Sequence, residues 1–240
     1  MKRIVVIPAR LRSARLPEKM LLCETGKTLV QHTYESASRA ELPERVLVAT
    51  DHERIYDAVT GFGGEAVMTS ENAARGTDRV AEVAQKLEDV DIFVNVQGDE
   101  PEICGRDIDR AIRILEENPS AQMSTLATPI TNKSKLEDPA CVKVIFSNNK
   151  AINFSRRAFS EGDNWQHVGL YVYRREFLLS LAELEQPEIE KAESLEQLRV
   201  LWHGYTILVA LTKSPSIGID TRADYEAFVG RFRTLQGQSN

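Results

Sequence analysis

Short apolar runs alternate with helical patterns through the first half of this chain, and that alternation constrains the fold more than any other feature. Ile4–Ile7 reads as a first strand and Thr28–Ala40 as a helix. Val46–Thr50 is a strand, and His52–Phe62 a helix ended by Gly61-Phe-Gly-Gly64. Ala66–Met68 is a short strand, Thr77–Leu87 a helix, Ile92–Val96 a strand, and Gly105–Glu117 a helix stopped by Asn118-Pro119. Strict β-α-β order implies a largely parallel sheet with helices on both faces. The second half changes character. Val142–Phe146 and Ala151–Phe154 flank an Asn148-Asn149 turn as a hairpin. Val168–Val172, Thr206–Leu211 and Ile217–Ile219 read as strands, with helices at Glu176–Glu185, Ala192–Trp202 and Arg222–Arg233. The expected fold is α/β: a mostly parallel sheet with a smaller antiparallel lobe set over it. With 240 residues, no repeat and no Pro/Gly-rich linker, one domain over 1–234 and a frayed tail at 235–240 are expected.

A net charge of −6 gives no general basic footprint for nucleic acid, so an anionic substrate must be met by local cations. Cys23, Cys104 and Cys141 are odd in number and widely spaced, which fits a reducing compartment. His32, His52, His167 and His203 are scattered and lack zinc spacing. No apolar run has the length of a membrane span, and the first strand begins at once, so a cytoplasmic location without membrane insertion is expected.

Two segments carry chemistry. Phe93-Val-Asn-Val-Gln-Gly-Asp-Glu-Pro101 is a buried strand that stops in a turn rich in carboxylate. Open α/β sheets bind ligands just past such strand ends, and hard divalent cations take oxygen ligands there. Alone, a Gly-Asp pair is more often an acidic turn before a helix. The first strand, however, runs into Pro8-Ala-Arg-Leu-Arg-Ser-Ala-Arg-Leu-Pro-Glu-Lys19, with cations at Arg10, Arg12, Arg15 and Lys19. Basic loops are usually just solvated, but one placed here can wrap a triphosphate. Gly26-Lys27-Thr28 mimics the end of a P-loop, yet Leu21 stands where that motif needs Gly. Gly61-Phe-Gly-Gly64 follows a helix rather than a strand, the reverse of a dinucleotide fingerprint.

Six further motifs follow in order: Val48-Ala-Thr-Asp51, Gly76-Thr-Asp-Arg79, Phe154-Ser-Arg156, His167-x-Gly-x-Tyr171, Glu193-Ser-Leu-Glu-Gln-Leu-Arg199 and Gly218-Ile-Asp-Thr221. Taken with the first two, the series resembles the 3-deoxy-manno-octulosonate (Kdo) cytidylyltransferases, from Ile4 to about Phe228. The resemblance implies a Rossmann-like nucleotidyltransferase sheet, with 1–130 mainly binding CTP and 140–215 mainly binding the sugar acid. It implies transfer of CMP from CTP to Kdo for lipopolysaccharide synthesis, with Mg2+ held by Asp99 and Asp220. Arg10 and Lys19 join these aspartates as catalytic residues by the same resemblance. Ala9, Arg10, Arg15, Lys19, Arg75, Gly76, Thr77 and Gln97 are the implied nucleotide-binding residues. Arg156 is the implied carboxylate clamp, and His167, Tyr171, Glu196 and Gln197 the implied holders of hydroxyls. A homodimer is implied as well.

Individually these residues have plainer readings. Asp220 and Thr77 suit helix caps, Tyr171 a strand aromatic, Glu196 a helix surface and Gln97 a turn hydrogen bond. The chain also departs from the family pattern. Leu11 stands for Tyr, Glu18 for Gly and Arg75 for Ser, and Ala158–Gln166 is short and lacks proline. Glu18 is expected either to weaken triphosphate binding or to pair with a nearby Arg, and Arg75 to add a phosphate contact. The short segment leaves open another acceptor, such as 8-amino-Kdo, and a non-catalytic nucleotide-binding homologue is the third reading.

Overall fold

A computed structural model describes residues 1–73, 75–213 and 217–237. The strands of the described residues are β1 (Arg3–Ala9), β2 (Arg45–Thr50), β3 (Glu65–Met68), β4 (Ile92–Asn95), β5 (Met123–Pro129), β6 (Lys143–Ser147), β7 (Lys150–Ser155), β8 (Trp165–Arg174) and β9 (Ile207–Leu211). They form one sheet in the order β3-β2-β1-β4-β8-β5-β9-β7-β6. From β3 to β4 the pairings are parallel, as the β-α-β order requires. β8 then enters antiparallel to both β4 and β5. Its first residues also pair with β6, closing β8-β5-β9-β7-β6 into a ring. The antiparallel strands therefore continue the parallel sheet edge to edge instead of standing over it.

Burial on both faces explains why the first strands are apolar throughout rather than alternating. Val5 and Ile7 of β1 join a cluster with Val30, Ile55 and Ile112, from the helices Leu29–Ala37, Glu53–Gly61 and Gly105–Glu116. Ile4 and Val6 point the other way, to Val80, Val83 and Leu178 of the helices Gly76–Lys86 and Arg175–Leu181. A third cluster joins Leu16 and Leu29 to Ile219, Tyr225, Phe228 and Val229. It packs the last helix, Arg222–Gly237, onto the start of the chain and so delivers Asp220 to the first strand's loop.

Several expected elements change. β5 has no counterpart in the sequence reading, because Ser124, Thr125 and Thr128 dilute its apolar signal. Two of these hydroxyls are buried but satisfied, Ser124 Oγ by Ala111 O at 2.6 Å and Thr125 Oγ1 by Leu170 O at 2.7 Å. The Ala192–Trp202 helix is two helices, Glu188–Glu193 and Gln197–Trp202, broken at Ser194 with φ 52°. Ile217–Ile219 is not a strand; Ile219 N–H bonds instead to the Asp99 carbonyl at 2.9 Å. The last helix runs through Gly237, so 235–237 is not a frayed tail, and 238–240 lie outside the described residues. The hairpin turn is as expected: Asn148 and Asn149 have φ 49° and 61°, the left-handed pair such a turn requires.

Candidate active site

The loop after β4 and the loop after β1 meet at the carboxyl edge of the parallel strands. Thr33 and Ser36, neighbours on one helix face, clamp the first of these by donating to Gly98 O at 2.8 Å and Pro101 O at 2.7 Å. Gly98 has no alternative here, since a Cβ would lie 2.8 Å from the Pro8 carbonyl oxygen. Arg79, buried, pairs with Asp51 at 2.6 Å, and Asp51 accepts the Leu11 N–H at 3.3 Å. The Ala-Thr-Asp51 and Gly-Thr-Asp-Arg79 motifs thus meet as a brace under the cationic loop. Nothing in their spacing shows this, because the partners lie on different elements.

A cavity of about 460 Å3 opens above this brace, lined among others by Arg10, Arg12, Arg15, Lys19, Gly76 and Gln97. Arg10 and Arg12 are exposed and have no ion-pair partner among the described residues. Lys19 is buried, and its Nζ donates to Asp99 Oδ2 at 2.6 Å, Ile219 O at 2.8 Å and Asp220 Oδ1 at 3.1 Å. Arg15 takes the other Asp220 oxygen at 2.9 Å. Asp99 and Asp220, 121 positions apart in sequence, thus converge on one cation. Their oxygens suit a hard divalent ion that draws the rest of its shell from phosphate and water.

Two of the expected nucleotide residues, Ala9 and Thr77, do not line this cavity, and the Ala9 side chain lies in the core. Thr77 is buried and donates to Glu196 Oε2 at 2.9 Å, so this pair faces inward and lines neither this cavity nor its neighbour around Arg156. Arg75 lines the first cavity but is held by Glu190 at 2.8 Å, with Glu196 at 3.6 Å. Glu18 turns away from Lys19 to pair with Arg54 at 2.8 Å, its φ of 52° being one that glycine adopts more readily.

A second cavity, about 510 Å3, is lined by Arg156, His167, Tyr171 and Gln197. It shares Arg15, Gln97 and Asp220 with the first. Two ligands in the two cavities would therefore meet at the converging carboxylates. The Ser194 break serves this cavity: Arg156 Nε donates to Glu193 O at 2.7 Å and Nη2 to Ser194 O at 3.4 Å. These carbonyls orient the guanidinium without neutralising it. The Tyr171 hydroxyl donates to Gln197 Oε1 at 3.3 Å, and burial together with Glu196 and Glu100 raises its pKa, so it stays a phenol. Gln197 is buried, and its Nε2 has no hydrogen-bond partner among the described residues. The short Ala158–Gln166 segment is closed on itself by Asn164, which accepts from Phe159 N at 2.8 Å and donates to Phe159 O at 3.0 Å.

His167 lies 2.9 Å from Thr125 Oγ1, whose own proton goes to Leu170 O. Its Nε2 is therefore the donor, and burial lowers its pKa to about 3. A folded pKa below the ordinary 6.5 means stability is complete above pH 6.5 and falls as pH drops towards about 3. His167→Gln should lose about 2 kcal/mol less than the parent between pH 7 and 5 in urea unfolding, at ~1.4 kcal/mol per unit below the histidine's ordinary pKa. Equal losses in both proteins would place a charged imidazole in the fold.

The cytidylyltransferase family model matches residues 4–207. The chain is 45% identical to the 3-deoxy-manno-octulosonate cytidylyltransferase of Rhodopirellula baltica, covering 98% of this chain and all of that one. The Geotalea uraniireducens protein of the same name is 46% identical, covering 97% and 100%. This chain belongs to the 3-deoxy-manno-octulosonate cytidylyltransferase family. A solved family structure, CMP:2-keto-3-deoxy-manno-octonic acid synthetase complexed with CTP, superposes with a TM-score of 0.93 at 37% identity over the whole of both chains. A Leptospira borgpetersenii cytidylyltransferase, 18% identical with a TM-score of 0.66 over 95% of this chain and 85% of that one, shares the fold. Of the residues that position this family's site here, Thr33, Ser36, Glu190 and the break at Ser194 escaped the sequence reading. Each looks like ordinary helix surface until its partner is seen.

Proposed function

We propose that this chain transfers CMP from CTP to the anomeric hydroxyl of Kdo, giving CMP-Kdo and pyrophosphate. The observation that carries this reading is the shared wall of the two cavities, where Arg15, Gln97 and Asp220 face both. The first cavity takes the nucleotide. Arg10, Arg12 and Arg15 line it, and phosphate charge fixed there is neutralised before and during transfer. The second takes the sugar acid, its carboxylate on Arg156 and its hydroxyls on Tyr171, Gln197 and neutral His167. Holding both reactants at one wall turns a bimolecular encounter into an oriented one. The anomeric oxygen bonds to the α-phosphorus as the bond to the pyrophosphate oxygen breaks in line.

Asp99 and Asp220 would hold Mg2+, whose chemistry there is Lewis-acid polarisation of the phosphoryl group and activation of the attacking hydroxyl. The proton of the attacking hydroxyl passes to solvent, because His167, the imidazole of this cavity, has a pKa lowered to about 3 and is a poor acceptor. The reducing cytoplasm is the compartment we assign, supported by three unpaired cysteines, Cys23, Cys104 and Cys141. No described helix is long and apolar enough to cross a membrane.

The test is pyrophosphate release from CTP with Mg2+, with and without Kdo. Release that depends on Kdo is expected. Release only with another sugar acid would change the acceptor, and CTP binding without release from any acceptor would overturn the catalytic reading.

A further inference from the structure

Lys143, on β6, is fully buried, at 0% relative exposure, and has no part in the chemistry above. Its Nζ donates to Asp138 O at 2.6 Å and Arg156 O at 3.0 Å, and no carboxylate pairs with it among the described residues. Burying an ammonium without a counter-ion is costly. Two hydrogen bonds to carbonyls do not require a charge, since an amide can make them.

The surroundings of this charge are the walls of the second cavity. Cys141 and Val142 precede Lys143 in the chain, Gln166 is its partner on β8, and all three line that cavity beside Arg156. The Arg156 guanidinium meets only carbonyls, Pro139 O at 3.1 Å among them, next in the chain to the Asp138 carbonyl that Lys143 holds. The Glu193 carboxylate takes the Arg156 backbone N–H instead, at 2.9 Å. Two cations therefore stand at one cavity with no carboxylate paired to either. Burial raises the pKa of the Cys141 thiol in the cavity wall, and Lys143 is the largest charge acting against that rise.

We propose that Lys143 is the second cation of the acceptor subsite, a positioning residue that fixes Arg156 and makes the cavity select an acid over its neutral counterpart. Its Nζ ties the 138–142 loop to the residue just past β7, so the guanidinium and its Pro139 acceptor keep their relative place. A carboxylate entering the cavity meets Arg156 directly and offsets the Lys143 charge through space, where low dielectric strengthens the attraction. The inference rests on the second cavity taking the sugar acid.

The experiment compares wild type with Lys143→Met and Lys143→Gln, the second of which keeps donors for the two carbonyls. Pyrophosphate release is measured at saturating CTP with Kdo varied. The KM for Kdo should rise about tenfold in both variants, with kcat and the KM for CTP within about threefold of wild type. Kdo and its carboxamide are then compared as competing ligands, and the preference for the acid should fall about tenfold. A lysine that only pinned the loop would weaken both ligands alike in Lys143→Met and leave Lys143→Gln close to wild type. Alkylation of Cys141 by neutral iodoacetamide, followed by peptide mass spectrometry, reads the charge without acceptor or turnover. Its pH dependence should move to higher pH in both variants.

An unchanged acid preference or an unmoved Cys141 profile overturns the proposal. Should Lys143→Met fail to fold, Lys143→Gln carries every measurement, and failure of both to fold would make Lys143 a folding residue and overturn it. Wild type that releases no pyrophosphate with Kdo fails the proposed function instead, and the Cys141 profile then decides the inference.

Discussion

Asp99→Asn is expected to lower pyrophosphate release on the order of a thousandfold while leaving the fold in place, the scale for losing one charge-stabilising group at a reacting centre. Asparagine keeps the shape and one acceptor for Lys19 Nζ, now 2.6 Å from Asp99 Oδ2. The backbone of the turn is secured independently, by Ile219 N–H on the Asp99 carbonyl at 2.9 Å and by Thr33 on Gly98 O. What disappears is one of the two negative charges that would hold the divalent ion. Steady-state turnover and far-ultraviolet circular dichroism separate the effects. Near-normal turnover would remove Asp99 from the metal site, and lost ellipticity would assign it to folding.

The largest effect on stability is expected from Arg199→Met. Glu190 has 2% of its side chain exposed and Arg199 8%, and they form a two-pronged pair at 2.7 and 2.9 Å. Removing the arginine strands a buried carboxylate, which costs ~3 kcal/mol or more. Arg75 remains as a partner at 2.8 Å but is 35% exposed and weaker for it. A Tm lower by roughly 6–10 °C follows for a chain of this size.

Burial pushes Glu190 upward, but hydrogen bonds and charge from Arg199, with Arg75, outweigh it and leave its pKa below the ordinary 4.5. The pair's contribution is therefore present above pH 4.5 and lost as pH falls through the lowered value. The gap between parent and variant should narrow in acid. Combining Arg199→Met with Glu190→Leu should recover most of the loss, since an apolar pair carries no desolvation penalty. A single-variant cost under about 1 kcal/mol, typical of a surface pair, would refute the argument.

The same pair marks a limit of reading the chain without its structure. Glu193-Ser-Leu-Glu-Gln-Leu-Arg199 reads as one continuous helix with Glu196 and Gln197 side by side. In the fold Ser194 breaks it, and the two residues part company. Gln197 lines the second cavity, while Glu196 faces inward to Thr77. Local propensity could not show this break. Ser194 takes a left-handed conformation as it caps the first helix on Glu190 O, and Arg156, just past β7, collects the Glu193 and Ser194 carbonyls there.

By itself the sequence determined the parallel half of the sheet, since a two-sided core demands uninterrupted apolar strands separated by amphipathic helices. It also determined which residues bear charge for chemistry: a cationic loop after the first strand and a carboxylate after the fourth. Tertiary structure alone decided how those charges are spent. Asp220 reaches Lys19 and Asp99 only because Leu16, Ile219, Tyr225 and Phe228 pack the last helix against the first loop. Lys19 meets Asp99, Ile219 O and Asp220 because the same packing buries it between the loops that carry them. Hydrophobic periodicity is a local property and is legible along a chain, whereas the partner of a charge is set by distances between elements far apart in it.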